Sequence, residues 1–149
     1  MKTRILGLLT LIMASMAYII GLYVACSYSP WMGILYALLI LLCVPVILYA
    51  YCRKCPAQNS CAHYLPAVLC RLLPARKQQP YTIKDITAVS ISFIILTAVP
   101  QRWLIDEPAL LILFWVLLIT AALIIVLNLC GKCTNRYCAF CRNHSIIEL

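Results

Sequence analysis

The stretch ALLILFWVLLITAALIIVLNL, residues 109–129, decides the fold of this chain. It carries no charged residue and is long enough to cross the hydrocarbon core of a bilayer, which takes roughly 20 helical residues. Because Leu and Ile run through it without strict alternation, it predicts a helix rather than a strand of a membrane barrel. Similar stretches occur at about 5–25, 33–51 and 86–103. The sequence therefore predicts an all-α integral membrane protein with four transmembrane helices.

The composition leaves no room for a second folded unit. The chain has 149 residues, of which 65% are hydrophobic and 11% charged. Soluble domains carry about 25% charged residues, so an ordinary soluble core is a poor explanation. The four apolar stretches use more than half of the chain. We expect a single membrane domain over residues 1–149, with the lipid bilayer as its first partner.

Basic residues lie on one side of the predicted topology. The other side holds one basic residue, Arg102, beside Asp106 and Glu107. Positive residues stay cytoplasmic, so we expect both termini and the long middle loop in the cytoplasm, in an inner or plasma membrane. Juxtamembrane cations facing anionic lipid explain this charge better than nucleic-acid binding, which is not expected. The basic residues of this side are Lys2, Arg4, Arg53, Lys54, Arg71, Arg76, Lys77, Lys84, Lys132, Arg136 and Arg142.

The first apolar stretch also resembles a secretory signal, since basic residues precede it. Val24-Ala25-Cys26 is somewhat like a lipoprotein cleavage site, although Tyr23 replaces the usual aliphatic residue. The apolar run is longer than a usual signal core, which favours a spanning helix. Either alternative leaves the topology of the remaining chain unchanged.

An internal repeat is predicted at an offset of 78 residues. CRKC at 52–55 matches CGKC at 130–133, and Pro30 matches Pro108 at the start of the preceding helix. The predicted units are 5–63 and 83–141, each a helical hairpin followed by a cysteine knuckle, in tandem. A linker at 64–82 separates them.

The linker itself has two predicted features. Leu65, Leu69 and Leu72 recur at helical spacing between prolines, which predicts a short helix on the membrane surface. Thr82 with Asp85 three residues later is a capping-box pattern, which predicts the start of the third spanning helix.

Eight of the ten cysteines fall on the predicted cytoplasmic side. Cytosolic thiols stay reduced, so metal or redox chemistry is favoured over stapling disulfides. Two Cys-x-x-Cys pairs can converge on one ion or cluster. The second unit offers Cys130, Cys133, Cys138 and Cys141, and the first offers Cys52, Cys55 and Cys61, with His63 or Cys70 as the fourth ligand. A variant in which Cys52, Cys55, Cys130 and Cys133 share one site stays open.

The metal is not specified by these spacings. They match neither ferredoxin runs nor standard zinc fingers, so an iron–sulfur cluster and zinc both remain candidates. No histidine lies inside a predicted helix, so a bis-histidine haem is not expected.

Several functions fit this pattern. The first hypothesis is an iron–sulfur electron-transfer module that serves a protein partner on the cytoplasmic side. The second is a membrane scaffold with structural zinc knuckles that docks a partner protein, and the third is a palmitoylated membrane adaptor. A thioredoxin-like dithiol would need a βαβ context. Catalysis by this chain alone is not expected, and its oligomeric state is left open.

Overall fold

The computed structural model describes residues 2–57, 61–74, 76–77, 79–135 and 137–138, and these ranges contain helices and no strand. Four helical segments are long and apolar enough to cross a membrane: Thr3–Tyr28, Pro30–Lys54, Ile83–Leu104 and Pro108–Lys132. Within the described ranges the predicted all-α class is thus confirmed, as are four helices long and apolar enough to span a membrane. Length and composition support a membrane location.

The spanning segments are built from shorter elements. They are α1 (Lys2–Tyr28), α2 (Pro30–Ala50), α4 (Ile83–Ala98), α5 (Gln101–Leu104) and α6 (Pro108–Ile124), with the short helix α3 (Tyr64–Leu69) in the linker. α6 continues through a π-helical turn, Ile125–Leu129. Single 3₁₀ turns follow at Cys52–Lys54, Cys70–Leu72 and Cys130–Lys132. A π turn is often found at a functional site, and this one lies directly before Cys130.

Local sequence signals account for most helix starts. Pro30 and Pro108 occupy the first turns of α2 and α6, where a missing N–H costs nothing. The capping box at the start of α4 is confirmed, because Thr82 and Asp85 each accept a hydrogen bond from the other's backbone N–H. α3 confirms the short linker helix, while its position on the membrane surface stays a prediction.

α1 lies at the centre of the packing. It packs against both α2 and α6, and α2 packs against α4 on its other side. The core between them contains the fully buried side chains of Ala17, Tyr36, Leu104 and Phe114. Gly33 of α2 faces α1 so closely that an added Cβ would lie 2.2 Å from Sγ of Cys26. Small residues at such crossings let apolar helices approach in a membrane.

Pro100 leaves a backbone carbonyl of the third span without its usual donor, and α2 supplies one. Pro100 has no N–H, so it cannot donate to the carbonyl of Leu96, four residues earlier. The hydroxyl of Tyr36 donates to that carbonyl instead, at 2.8 Å, and both residues are buried. A carbonyl left without a donor in hydrocarbon is costly, and neighbouring helices commonly satisfy it. This bond fixes α2 against the third span.

Long-range contacts bring four segment ends together. Nζ of Lys54, at the end of α2, lies beside Asp85, at the start of α4. Gly7, near the start of α1, lies against the backbone of Ala62. Tyr81, before α4, receives a hydrogen bond from Asn135, beyond α6. We call this the basic end: the start of α1, the end of α2, the start of α4 and the end of α6, with residues 61–77.

The predicted repeat has a local counterpart in the structure. The two CxxC turns match in conformation at the offset of 78, and Tyr36 and Phe114 are both fully buried. Other features differ: α4 and α6 are not among the closely packed helix pairs, whereas α1 and α2 are. The tandem hairpin arrangement is therefore not confirmed, and the duplication stays a prediction.

Candidate functional site

The two CxxC segments fold in the same way. In each, a 3₁₀ turn follows the spanning helix, and the second cysteine donates its backbone N–H to the carbonyl of the first. The N···O distances are 3.2 Å for Cys55 to Cys52 and 3.3 Å for Cys133 to Cys130. Each turn ends in extended backbone at its second cysteine. The turn keeps the two cysteines of each pair near each other at the basic end.

The cysteines of the first segment share one neighbourhood. Cys52 lies close enough to Cys55, Cys61 and Cys70 for their thiolates to interact electrostatically. Cys70 is fully buried, and its thiol donates to the carbonyl of Ala67 at 3.1 Å. The fold thus places Cys52 within electrostatic range of Cys55 and Cys61 and of Cys70, one of the two candidates for the fourth ligand, although Cys70 comes 18 positions later in the chain.

The second segment reaches the same neighbourhood. Cys133, which follows α6, lies within electrostatic range of both Cys55 and Cys61. The two cysteine segments therefore interact electrostatically at the basic end. Sequence reasoning had treated two separate sites as the first choice and one joint site as the variant.

Backbone N–H groups point at two of these sulfurs. The N–H of Ala57 donates to Cys55, and the N–H of His63 donates to Cys61, each from two residues downstream. Burial and the neighbouring Cys133 and Cys61 outweigh this donor and raise the pKa of Cys55 to about 11. Burial likewise raises the pKa of Cys61. Deprotonating several of these thiols together is therefore unfavourable unless a cation arrives with them.

Two stacked tyrosines bridge the segments. The rings of Tyr51 and Tyr81 have centroids 4.5 Å apart and planes 4° apart. Oη of Tyr51 lies 2.8 Å from Sγ of Cys138, and the hydroxyl of Tyr81 reaches Cys55. Asn135, 2% exposed, donates to Oη of Tyr81 at 2.9 Å. Burial, followed by the neighbouring thiol of Cys55, raises the pKa of Tyr81, so this hydroxyl stays a hydrogen-bond donor.

His63 is held against α1. Its Nε2 lies 3.1 Å from Oγ1 of Thr10. Because the Thr10 hydroxyl donates its proton to the carbonyl of Gly7, Nε2 is the donor in this pair. Burial lowers the pKa of His63, which favours the neutral ring with its lone pair on Nδ1. His63 can therefore serve the cysteines only through Nδ1.

The metal shell itself is not visible in these positions. Within the described ranges, no group of three His, Cys, Asp or Glu side chains is placed to hold an ion. Cys141, predicted as the fourth ligand of the second site, lies outside the described residues. The nine cysteines that the structure does describe form no disulfide with one another.

A buried ion pair joins the first cysteine segment to the start of α4, and sequence reasoning missed it. Nζ of Lys54 lies 2.5 Å from Oδ2 of Asp85, with side chains 1% and 7% exposed. Arg76 contacts the other oxygen, Oδ1, at 3.0 Å. One signal was present, because Asp85 is the only acidic residue before Asp106 in a chain with twelve Lys and Arg.

Tyr51, Tyr81 and Asn135 were also missed. Tyr51 directly precedes Cys52, and its counterpart at the offset of 78 is Leu129, so the repeat gave no reason to select it. The bridge is a tertiary contact between residues 87 apart.

Comparison of the chain with models of known protein families, with curated proteins and with solved structures finds no match.

Proposed function

We propose that this chain is a membrane-anchored metal–thiolate protein whose two cysteine segments hold a common iron–sulfur centre and pass electrons to a partner protein. One observation carries the proposal: Cys133 of the second segment lies within electrostatic range of Cys55 and Cys61 of the first. The candidate ligands are Cys52, Cys55, Cys61, Cys70, Cys130, Cys133, Cys138, Cys141 and His63, of which Cys141 lies outside the described residues.

The electrostatics favour a cationic occupant. Neighbouring buried thiols raise one another's pKa, so a set of bare thiolates is unstable here. A metal centre supplies positive charge and takes the place of the protons. The N–H groups of Ala57 and His63 donate to sulfur and stabilise its anionic form, as they would in a metal–thiolate turn.

The hydrogen bonds to sulfur favour electron transfer over a purely structural role. Tyr51 and Tyr81 are positioned to donate to Cys138 and Cys55. Hydrogen bonds to ligand sulfurs are a main determinant of the reduction potential of an iron–sulfur centre. A structural zinc ion has no redox chemistry for such donors to adjust.

The location follows from charge. The basic end contains Arg53, Lys54, Arg71, Arg76, Lys77 and Lys84. The loop at the opposite end contains one basic residue, Arg102, and two acidic residues, Asp106 and Glu107. By the positive-inside rule the basic end, and with it both termini, faces the cytoplasm. Thiols on that side are kept reduced and available to a metal.

The test is anaerobic purification followed by visible spectroscopy and elemental analysis. The proposal expects coloured protein that dithionite bleaches, with iron and acid-labile sulfide in equal amounts. Cys133→Ser should abolish the colour, while the matched variant Cys26→Ser, remote from both segments, should keep it. Colourless protein with bound zinc would establish the scaffold alternative. Protein without metal whose cysteines carry acyl chains by mass spectrometry would establish the palmitoylated adaptor.

A further inference from the structure

A second concave site lies at the basic end, and none of the described cysteines lines it. It is a groove of about 470 Å³ between α2 and α4, closed below by the linker. We define the α2–α4 groove by six lining residues that matter here: Pro45, Val46, Tyr49, Arg76, Lys84 and Ala88. We propose that this groove binds the headgroup and upper acyl chain of an anionic phospholipid from the leaflet that the basic end contacts.

The charge of the groove matches such a ligand. Arg76 and Lys84 line it together with Asp85, and Lys54 is buried against Asp85 from behind. Three cations against one carboxylate leave two positive charges in excess. Lys84 is exposed and forms no ion pair within the part of the chain that the structure describes. Its ammonium group is therefore available to a phosphate at the mouth of the groove.

The contacts of Arg76 orient its guanidinium group so that it can bind a phosphate. Its Nη1 donates to Oδ1 of Asp85 at 3.0 Å and to the carbonyl of Tyr49 at 3.4 Å, and its guanidinium lies 4.8 Å from the centre of the Tyr49 ring. These contacts fix the plane of the guanidinium, while Nε and Nη2 have no acceptor among the described residues and keep their N–H groups for a ligand. An oriented guanidinium fork binds phosphate oxygens in pairs.

The walls fit the rest of a lipid. Pro45, Val46 and Ala88 are apolar and lie farther along α2 and α4, into the spanning segments. A groove with cations at the membrane surface and an apolar floor toward the bilayer core complements a molecule with an anionic head and a hydrocarbon tail. Basic pockets between spanning helices are known sites for anionic headgroups. A soluble anion would use only the upper half of this groove.

Native mass spectrometry of the purified chain tests the proposal. The protein is offered equal amounts of phosphatidylglycerol and phosphatidylcholine with identical acyl chains, and we expect the phosphatidylglycerol adduct to dominate. Lys84→Gln should weaken that adduct about fivefold, since one cation near the surface contributes about 1 kcal/mol. Lys77→Gln is the matched control, because Lys77 is an exposed cation of the linker, seven residues before Lys84, and does not line the groove. It should change the adduct by less than about twofold, because a screened charge outside the site acts weakly.

A second variant separates guanidinium recognition from charge alone. Arg76→Lys keeps the charge beside Asp85 but loses the planar fork, so phosphatidylglycerol binding should fall while thermal stability is retained. Equal binding of both lipids, or equal loss in the Lys84 and Lys77 variants, would overturn the proposal. Displacement of phosphatidylglycerol by excess inorganic phosphate would instead assign the groove to a soluble anion and would also overturn it.

Discussion

Asp85 and Lys54 form a buried ion pair between the start of one spanning helix and the end of another. With 1% and 7% of their side chains exposed, neither residue can exchange its partner for water. Asp85→Asn leaves the Lys54 ammonium without its charged partner. Loss of one member of a buried pair costs about 3–5 kcal/mol, so we expect a clear fall in the thermal unfolding temperature in detergent.

A matched change at the repeat position calibrates this effect. Lys132 matches Lys54 at the offset of 78 but is exposed. The residue that matches Asp85 at the same offset is Gly7, which carries no charge. Lys132→Met should therefore change the unfolding temperature little. Equal losses from Asp85→Asn and Lys132→Met would mean that the ion pair has no special role in stability.

The bond from Tyr36 to Leu96 gives a second prediction. Tyr36→Phe removes the donor and leaves the Leu96 carbonyl unsatisfied, at a cost of about 1–3 kcal/mol. In a Pro100→Ala background, residue 100 regains an N–H that can donate to Leu96. The cost of Tyr36→Phe should then shrink, and a double-mutant cycle of unfolding free energies measures the difference. Additive costs would show that Pro100 is not the reason for the Tyr36 bond.

Substitution by Ala should destabilise the protein at one glycine of the basic end and have no effect at another. A Cβ on Gly7 would lie 2.3 Å from the backbone oxygen of Ala62, so Gly7→Ala must push the 61–63 segment away from α1. Such overpacking costs about 1–3 kcal/mol and should speed alkylation of Cys61 in the metal-free protein. The added Cβ of Gly131→Ala meets no atom of the described residues within 4 Å, and this variant should leave stability and labelling unchanged. Similar labelling rates in both variants would contradict the tight contact.

The hydroxyl of Tyr51 gives a prediction that depends on the proposed iron–sulfur centre. Tyr51→Phe keeps the stack on Tyr81 but removes the hydrogen bond to Cys138. A donor to sulfur stabilises the more negative, reduced cluster, so its loss should lower the potential. One hydrogen bond of about 0.5–1.5 kcal/mol corresponds to about 20–60 mV for one electron. Tyr49→Phe, whose ring faces Arg76 instead, is the control, and a redox titration in which both variants match the parent would refute the role of Tyr51.

Orientation is tested with reporter fusions. Fusions after Arg76 and at the C-terminus should report the cytoplasm, and a fusion after Glu107 should report the opposite side. A cytoplasmic signal at Glu107, or an external signal at Arg76, would place the cysteines in the other compartment and remove the basis for a reduced thiolate site.

The sequence foretold the helices far better than the contacts between them. Apolar runs predicted all four spans, and Thr82 with Asp85 predicted the start of α4, because both signals are local. Asp85 has two structural roles, however: it caps α4 and it forms an ion pair with Lys54 at the end of α2. The ion pair depends on which helices become neighbours. The choice of neighbours depends on packing at positions such as Gly33 and Tyr36. No short pattern in the sequence carries that information.

The same distinction applies to the candidate site. The CxxC pattern predicted most of the cysteines of the candidate site, because two cysteines on one turn are neighbours whatever the tertiary fold. Whether Cys133 meets Cys55 or completes a site of its own depends on how α6 returns to the basic end. Sequence reasoning therefore leaves a shared site of Cys52, Cys55, Cys130 and Cys133 open as a variant. The electrostatic interaction of Cys133 with Cys55 and Cys61 is the observation that supports a shared centre in the proposed function.

The bridge between the cysteine segments also sets an order of events during biosynthesis. Tyr51 and Cys138 are 87 residues apart, and Asn135 reaches back 54 residues to Tyr81. A chain whose last helix has not yet entered the bilayer lacks the whole second half of the site. A metal centre that needs both halves can form only after the final insertion step. Under the proposed function, its occupancy would then distinguish finished molecules from partly inserted ones.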